Sequence, residues 1–357
     1  MIVSKIILKN YRNYDNVELE FSPKLNVIIG DNATGKTNIV EAIHFLSLGR
    51  SFRTPECDEL IKIGREFASI GARVEENTTH KDIVAIITPS SKKFVCNNKP
   101  VKRISELSSL INVIVFEPKD SLMFHYPPSV RRNFLDVNLS KKSPIYLENL
   151  MMFDKLLKER NALLKDDVID GYQLEIITRQ MVSIQETICK YRQAYISEIN
   201  TVLPKIVKNI KGGEQDISLE YESFAKVDNN FVQNATRAYE RSLESDVKHK
   251  ITQIGIHRED IKMIYKGHDI STHGSQGENR IAVLALKLCP YFLIEEDGKK
   301  PIIVLDDVMS ELDKDVRARL TKFLTKFEQV FVTSTEIEIK NSSIYEVTKA
   351  NTIRRNA

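Results

Sequence analysis

Eight residues near the amino terminus carry the clearest chemistry in the chain. Gly30, Asp31, Asn32, Ala33, Thr34, Gly35, Lys36 and Thr37 satisfy every fixed position of the phosphate-binding pattern G-x-x-x-x-G-K-[ST]. Glycine lets the backbone wrap closely around an anion, so that N–H groups and the start of a helix face it. Lys36 then brings a positive charge to the β- and γ-phosphates of a nucleoside triphosphate, and the Thr37 hydroxyl can ligate Mg²⁺. A second set lies far downstream. Asp306 ends the apolar run Ile302 to Leu305, where a carboxylate can hold Mg²⁺ through water. Asp307 follows, placed to orient or deprotonate an attacking water. Adjacent carboxylates also mark ordinary solvated strand ends, and it is the loop at 30–37 that favours the metal reading.

The third set is Ser275, Gln276 and Gly277, which open the segment SQGENR before the helical run Ile281 to Leu288. A small hydroxyl and a glycine at a helix start form either an anion site or a plain helix cap. Their place between the other two motifs resembles the signature segment of ABC-type ATPases.

These residues need elements to hold them. Val3 to Leu8 and Val17, Leu19, Phe21 read as strands, and Leu25 to Ile29 as a buried central strand ahead of the glycine-rich turn. Ile39, Ala42, Ile43 and Leu46 share one face of the helix that follows. From Phe67 to Val95 short β segments alternate with polar turns, as in an antiparallel sheet, and Ile111 to Phe116 is another buried strand. The middle of the chain changes to helical spacing. One seam runs from Tyr146 to Leu164, broken by Arg160, and a second from Leu174 to Tyr195, with Pro204 expected to end the second helix. Two such helices make either an antiparallel hairpin or part of an ordinary bundle. The last third alternates β and α: a strand at Pro301 to Asp307, a helix at Lys314 to Phe327, a strand at Gln329 to Thr335. That order implies a parallel sheet with ligands beyond the strand carboxyl ends. The expected fold is α/β: a P-loop ATPase head of the ABC type from residues 1–120 and 250–357, carrying an antiparallel β subdomain, with an inserted α-helical lobe at 121–249.

Bulk properties agree with a cytoplasmic globular protein. No run among the 357 residues approaches the roughly 18 apolar residues that span a bilayer, and the amino terminus lacks a signal-peptide layout. Cys57, Cys96, Cys189 and Cys289 are scattered without a CxxC pair, which points to neither zinc nor disulfides. With 52 Lys+Arg against 49 Asp+Glu, any nucleic acid must find a local basic patch. Candidates are Lys92, Lys93, Lys99, Lys102 and Arg103 on the β-rich segment, and Arg50 and Arg53 after the first helix. No base-reading motif accompanies them.

Several motifs together resemble the RecF family of ABC/SMC-type ATPases. They are KIILKNYRNY at the amino terminus, the glycine-rich loop, SFRT at 51–54, VFEP at 115–118, RRNFLD at 131–136, GIHRED at 255–260, SQGENR at 275–280 and LDDVMSELD at 305–313. The resemblance spans residue 1 to about 335 and is weakest in the helical segment. It implies ATP and Mg²⁺ as cofactors, a weak DNA-stimulated ATPase, and an ATP-dependent homodimer in which Ser275, Gln276 and Gly277 act on the partner's nucleotide. It also implies nucleotide contact by Arg12, a D-loop at Ser310 to Asp313, and Thr333-Ser334-Thr335 at a switch position often held by histidine. The implied role is recombinational repair and replication, through DNA and the RecR and RecO partners, with no membrane. A long-armed SMC or Rad50 head, a P-loop kinase and a transporter ATPase subunit are the competing readings. The short arm, the signature-like segment and the RecF-like amino terminus count against them in turn.

Overall fold

The computed structural model describes residues 1–296, 299–335, 339, 341–348 and 353–356. In chain order the elements are β1 (Ile2–Tyr11), β2 (Tyr14–Glu20), β3 (Lys24–Ile29), α1 (Lys36–Leu48), β4 (Ala68–Glu76), β5 (Thr79–Thr88), β6 (Ser91–Cys96), β7 (Lys99–Pro100), α2 (Leu107–Leu110) and β8 (Val113–Phe116). Then come α3 (Pro128–Lys142), α4 (Pro144–Leu163), α5 (Gly171–Lys211), β9 (Ile217–Glu222), α6 (Phe231–His249), β10 (Asp260–Tyr265), β11 (His268–Asp269), α7 (Ile270–His273) and α8 (Gln276–Phe292). The chain returns through β12 (Ile302–Asp306), α9 (Lys314–Leu324), β13 (Gln329–Ser334), β14 (Ser343–Val347) and β15 (Ile353–Asn356).

Two compact units result, one of 1–121, 206–213 and 283–357, the other of 122–205 and 214–282. In the first, a sheet of order β15-β14-β3-β13-β12-β8 is parallel except at β15. Its central strands read as continuous apolar runs because both faces are covered, and every residue of β12 and β13 is buried. An antiparallel sheet of order β2-β1-β4-β5-β6-β7 forms the other layer. Helix α1 packs against strands of both sheets. It is therefore buried nearly all round, Ile39 to Ser47 included, rather than along the single stripe its spacing suggested.

The second unit is built on the antiparallel pair α4 and α5. Tyr146 meets Arg192 at one end, and Arg160 meets Thr178 at the other. Helix α6, which the apolar seams did not reveal, closes over the pair through Tyr239–Gln185 and Arg160–Asp246. The hairpin is thus part of a bundle. The division differs from the expected break at 250. Strand β10 pairs with β9 from Asp260↔Glu222 to Tyr265↔Ile217, which ties 250–282 to the helical unit. Pro204 does not end α5, which continues to Lys211. Proline removes one N–H bond, yet Leu203, Ile206, Val207 and Ile210 are all buried, so the apolar face carries the helix past it.

Candidate nucleotide site

The loop from Gly30 to Thr37 joins β3 to α1 and owes its shape to its neighbours. Gly30 has φ +153°, and a Cβ there would lie 2.3 Å from the Val347 carbonyl on β14. Gly35 has φ +107°, and its Cβ would lie 2.6 Å from Asn13 Nδ2 and 2.7 Å from the Tyr14 hydroxyl. Only glycine fits either place. Asn13 Nδ2 donates to Thr34 O at 3.1 Å and the Tyr14 hydroxyl to Gly35 O at 3.1 Å, so the turn after β1 braces the loop from behind. Asp31, Asn32 and Ala33 lie exposed along its crest.

Lys36 Nζ donates to Gly30 O at 2.6 Å and Asp31 O at 2.7 Å. Burial pulls its pKa below the ordinary lysine value, while Asp307, Asp306 and Asp31 pull the other way. Neutral carbonyls are weaker partners for an ammonium than a phosphate oxygen, so the loop is set to exchange them for an anion. Across the sheet edge, Thr37 Oγ1 donates to Asp306 Oδ1 at 2.9 Å. Two oxygen donors 269 residues apart in sequence thereby meet. Burial raises the Asp306 carboxyl above its usual range, opposed by the hydroxyls of Thr333 and Thr37. This donor pair fits Mg²⁺, which takes one or two protein oxygens and completes its octahedron with water and phosphate. Asp307 is exposed and has φ +49°. Ser310 Oγ lies 3.1 Å from both its carbonyl and its Oδ1.

Arg12 is engaged by the protein itself. Its Nε and Nη2 donate to Glu41 at 3.0 and 2.6 Å, and its Nη1 to Glu59 O at 2.8 Å. Glu41, which sequence reasoning missed, is wholly buried in α1 and also accepts from Ser51 Oγ at 2.5 Å. A glutamate within an apolar helical run was the available signal. Arg53 joins this cluster: its Nη1 donates to Asn38 Oδ1 at 2.8 Å, lies 3.7 Å from Glu41, and its charge acts on Asp306.

Among the other basic candidates Lys92 is set apart from the exposed ones. Lys92 and Lys93 alternate across β6, and Lys92 Nζ donates inward to Gly49 O at 2.6 Å. Lys93, Lys99, Lys102 and Arg103 are exposed, as is Arg50 after α1.

Ser275 and Glu278 form a capping box at the start of α8. Ser275 Oγ accepts from Glu278 N at 3.3 Å, and Glu278 Oε2 accepts from Ser275 N at 3.1 Å. Gln276 and Gly277 are exposed, and nothing lies within 4 Å of a Cβ built on Gly277. Asn279 Nδ2 holds the preceding loop through Gly274 O at 3.1 Å. Upstream, GIHRED and RRNFLD lock together. Arg131 makes two 2.7 Å bonds to Asp260, and Arg192 bonds Glu259 at 2.7 Å and Asp136 at 2.8 Å. These motifs build the unit's polar core, which explains them without chemistry.

A phosphate-binding loop, a paired-carboxylate strand end and a helix-opening SQG segment, carried on an ABC-type head with a helical lobe, define an ABC/SMC-type ATP-binding protein. The family model for the RecF/RecN/SMC N-terminal domain matches residues 2–355. The chain is 35% identical to the DNA replication and repair protein RecF of Lachnoclostridium phytofermentans, over 97% of this chain and 98% of that one. It is 33% identical to RecF of Bacillus subtilis, over 95% and 94%. A solved structure of the recombination mediator protein RecF with ATP, of the RecFOR pathway, superposes with a TM-score of 0.89 at 31% identity, covering 99% of this chain and 97% of that one. The Smc head domain of Pyrococcus furiosus shares the fold, with a TM-score of 0.60 at 16% identity, covering 99% of this chain and 96% of that one. The chain belongs to the RecF family.

Proposed function

We propose that this chain is an ATP-driven switch on DNA in recombinational repair and replication. The observation that carries the reading is the direct Thr37–Asp306 contact, which brings the phosphate-binding loop and the carboxylate strand end into one site. In this reading the backbone from Asp31 to Thr37 and the Lys36 ammonium hold the triphosphate, and Thr37 and Asp306 hold Mg²⁺. Bound Mg²⁺ supplies charge neutralisation at the β- and γ-phosphates. Asp307, exposed beside the site, orients the attacking water and takes its proton. Ser275, Gln276 and Gly277 of a second copy complete the site, so ATP binding drives formation of a homodimer.

The dimer binds duplex DNA and single-strand/duplex junctions through phosphate contacts without reading sequence. Slow, DNA-stimulated hydrolysis then releases it. The role proposed for this cycle is assistance to recombinase loading at single-strand gaps and to SOS induction, with RecR and RecO as partners, in the cytoplasm. Among the described residues no helix is long and apolar enough to cross a membrane.

Light scattering tests the core of the proposal. The wild-type mass should double with MgATP and return as the ATP is spent. Ser275→Arg should bind MgATP with near wild-type affinity by calorimetry yet stay monomeric. A wild-type protein that stays monomeric with ATP and DNA would favour a P-loop phosphotransferase instead. Loss of monomer binding in the variant would mean that Ser275 serves its own unit.

A further inference from the structure

Strands β12 and β13 are parallel, and their register sets Asp306 beside Thr333. Thr333 is almost completely buried. Its hydroxyl donates to Asp306 Oδ1 at 2.6 Å and accepts the Asp307 backbone N–H at 3.0 Å. A hydroxyl has one proton to give, and this one goes to the carboxylate. The N–H that it accepts belongs to a residue with φ +49°, a left-handed conformation that a non-glycine residue keeps only where its surroundings hold it. One side chain therefore touches both members of the carboxylate pair, the first by its side chain and the second by its backbone.

We infer that Thr333 is a positioning residue for ATP hydrolysis, fixing the orientation of Asp306 and the backbone turn that presents Asp307. This inference rests on the nucleotide reading above. It gives the threonine a task of its own at the switch position that histidine often holds. The hydroxyl is engaged by two internal partners, and the side chain is almost completely buried. The logic is that of a supporting group whose effect passes through the residues it holds. Without the hydroxyl, Asp306 keeps only the Thr37 hydroxyl among these two partners and gains rotational freedom. Asp307 loses the acceptor that anchors its N–H.

Two variants separate positioning from packing. Thr333→Val keeps the branched shape and removes the hydroxyl, while Thr333→Ser keeps the hydroxyl and removes a methyl. Calorimetry with ATP in EDTA should give the same affinity for both variants and the wild type, because the loop at 30–37 is untouched. In a magnesium titration of ATP binding, Thr333→Val should need on the order of 10-fold more metal, the scale of one hydrogen bond to a charged group, and Thr333→Ser should restore the wild-type curve. Hydrogen exchange of the Asp307 amide in nucleotide-free protein should speed up by a similar factor in Thr333→Val only, a readout independent of catalysis. Single-turnover hydrolysis should slow in the valine variant and recover in the serine variant.

Wild-type metal dependence, amide exchange and hydrolysis in Thr333→Val would overturn the inference. So would a serine variant that fails to restore them. Loss of metal-free ATP binding together with a lowered urea midpoint in Thr333→Val would show a packing role and overturn it equally. If the wild-type protein itself bound no MgATP, the nucleotide reading would fall first and this inference with it, an outcome distinct from the others.

Discussion

Asp307→Asn isolates the chemical step because the structure leaves almost nothing else for it to disturb. The residue sits at φ +49°, a conformation that asparagine tolerates as well as aspartate does. Its N–H bond to Thr333 is a backbone bond and survives. Ser310 Oγ can still donate to the side-chain carbonyl that replaces Oδ1. Stability should therefore stay within about 0.5 kcal/mol of wild type. Nucleotide affinity should hold too, since Asp307 is the strongest charge acting on Lys36 and removing it leaves that ammonium no less attractive to an anion. What disappears, on the proposed mechanism, is the proton acceptor. General-base contributions run to ~10²–10⁴-fold, which corresponds to roughly 3–5 kcal/mol of barrier.

Single-turnover hydrolysis by preloaded protein should fall by that factor, with ATP affinity unchanged by calorimetry. The same variant should stay on DNA far longer than wild type when residence is followed on an immobilised duplex. Hydrolysis at the wild-type rate would refute Asp307 as the base and direct attention to Glu311. Blocked hydrolysis with unchanged DNA residence would refute the claim that cleavage is the release step.

Two further outcomes follow. Neutralising Lys93, Lys99, Lys102 and Arg103, all exposed, should weaken binding alike across duplex sequences. It should also flatten the slope of log K against log salt by up to about 3.6 if all four meet phosphates; an unchanged slope would place the DNA surface elsewhere. Burial lowers the His257 pKa to about 4 from an ordinary 6.5, against the bond it makes to Thr252 O. The unfolded chain thus takes up a proton that the fold refuses, and stability should fall as pH drops from about 6.5 towards 4. Urea midpoints at pH 7 and 5 should show this loss in wild type and a smaller one in His257→Gln, and equal losses in both would remove His257 as the cause.

The proposed nucleotide site rests on motifs that are local and so can be read from the sequence. Eight consecutive residues define the phosphate loop, and an apolar strand ending in Asp306 announces itself. What escaped were contacts made by folding. Nothing in the sequence pairs Arg12 with Glu41, or sets Asn13 and Tyr14 behind Gly35, because each depends on β1, α1 and the loop between them meeting in space. Helix α6 escaped because Phe231, Ala235 and Tyr239 are its few fully buried apolar residues, too thin a seam to read. The break expected at 250 misplaced β10 because pairing with β9 is decided by a partner some 40 residues upstream. Pro204 misled for the opposite reason: a strong local signal was outweighed by burial on the helix face around it.

The position of β3 has a consequence for how the protein is made. This strand, which leads into the phosphate loop, lies between β13 and β14, and its neighbour β13 begins at Gln329. The ribosome must therefore add about 300 residues after the loop emerges before the strand can find either flanking partner, which takes roughly 15–60 s at 5–20 residues per second. During that interval the loop has its glycines and its lysine but not the strands on either side or Asp306 opposite. Nucleotide binding is thus a late event in the life of the chain. A nascent or prematurely ended product carries the most recognisable motif of the molecule without the strands and the carboxylate that complete its site.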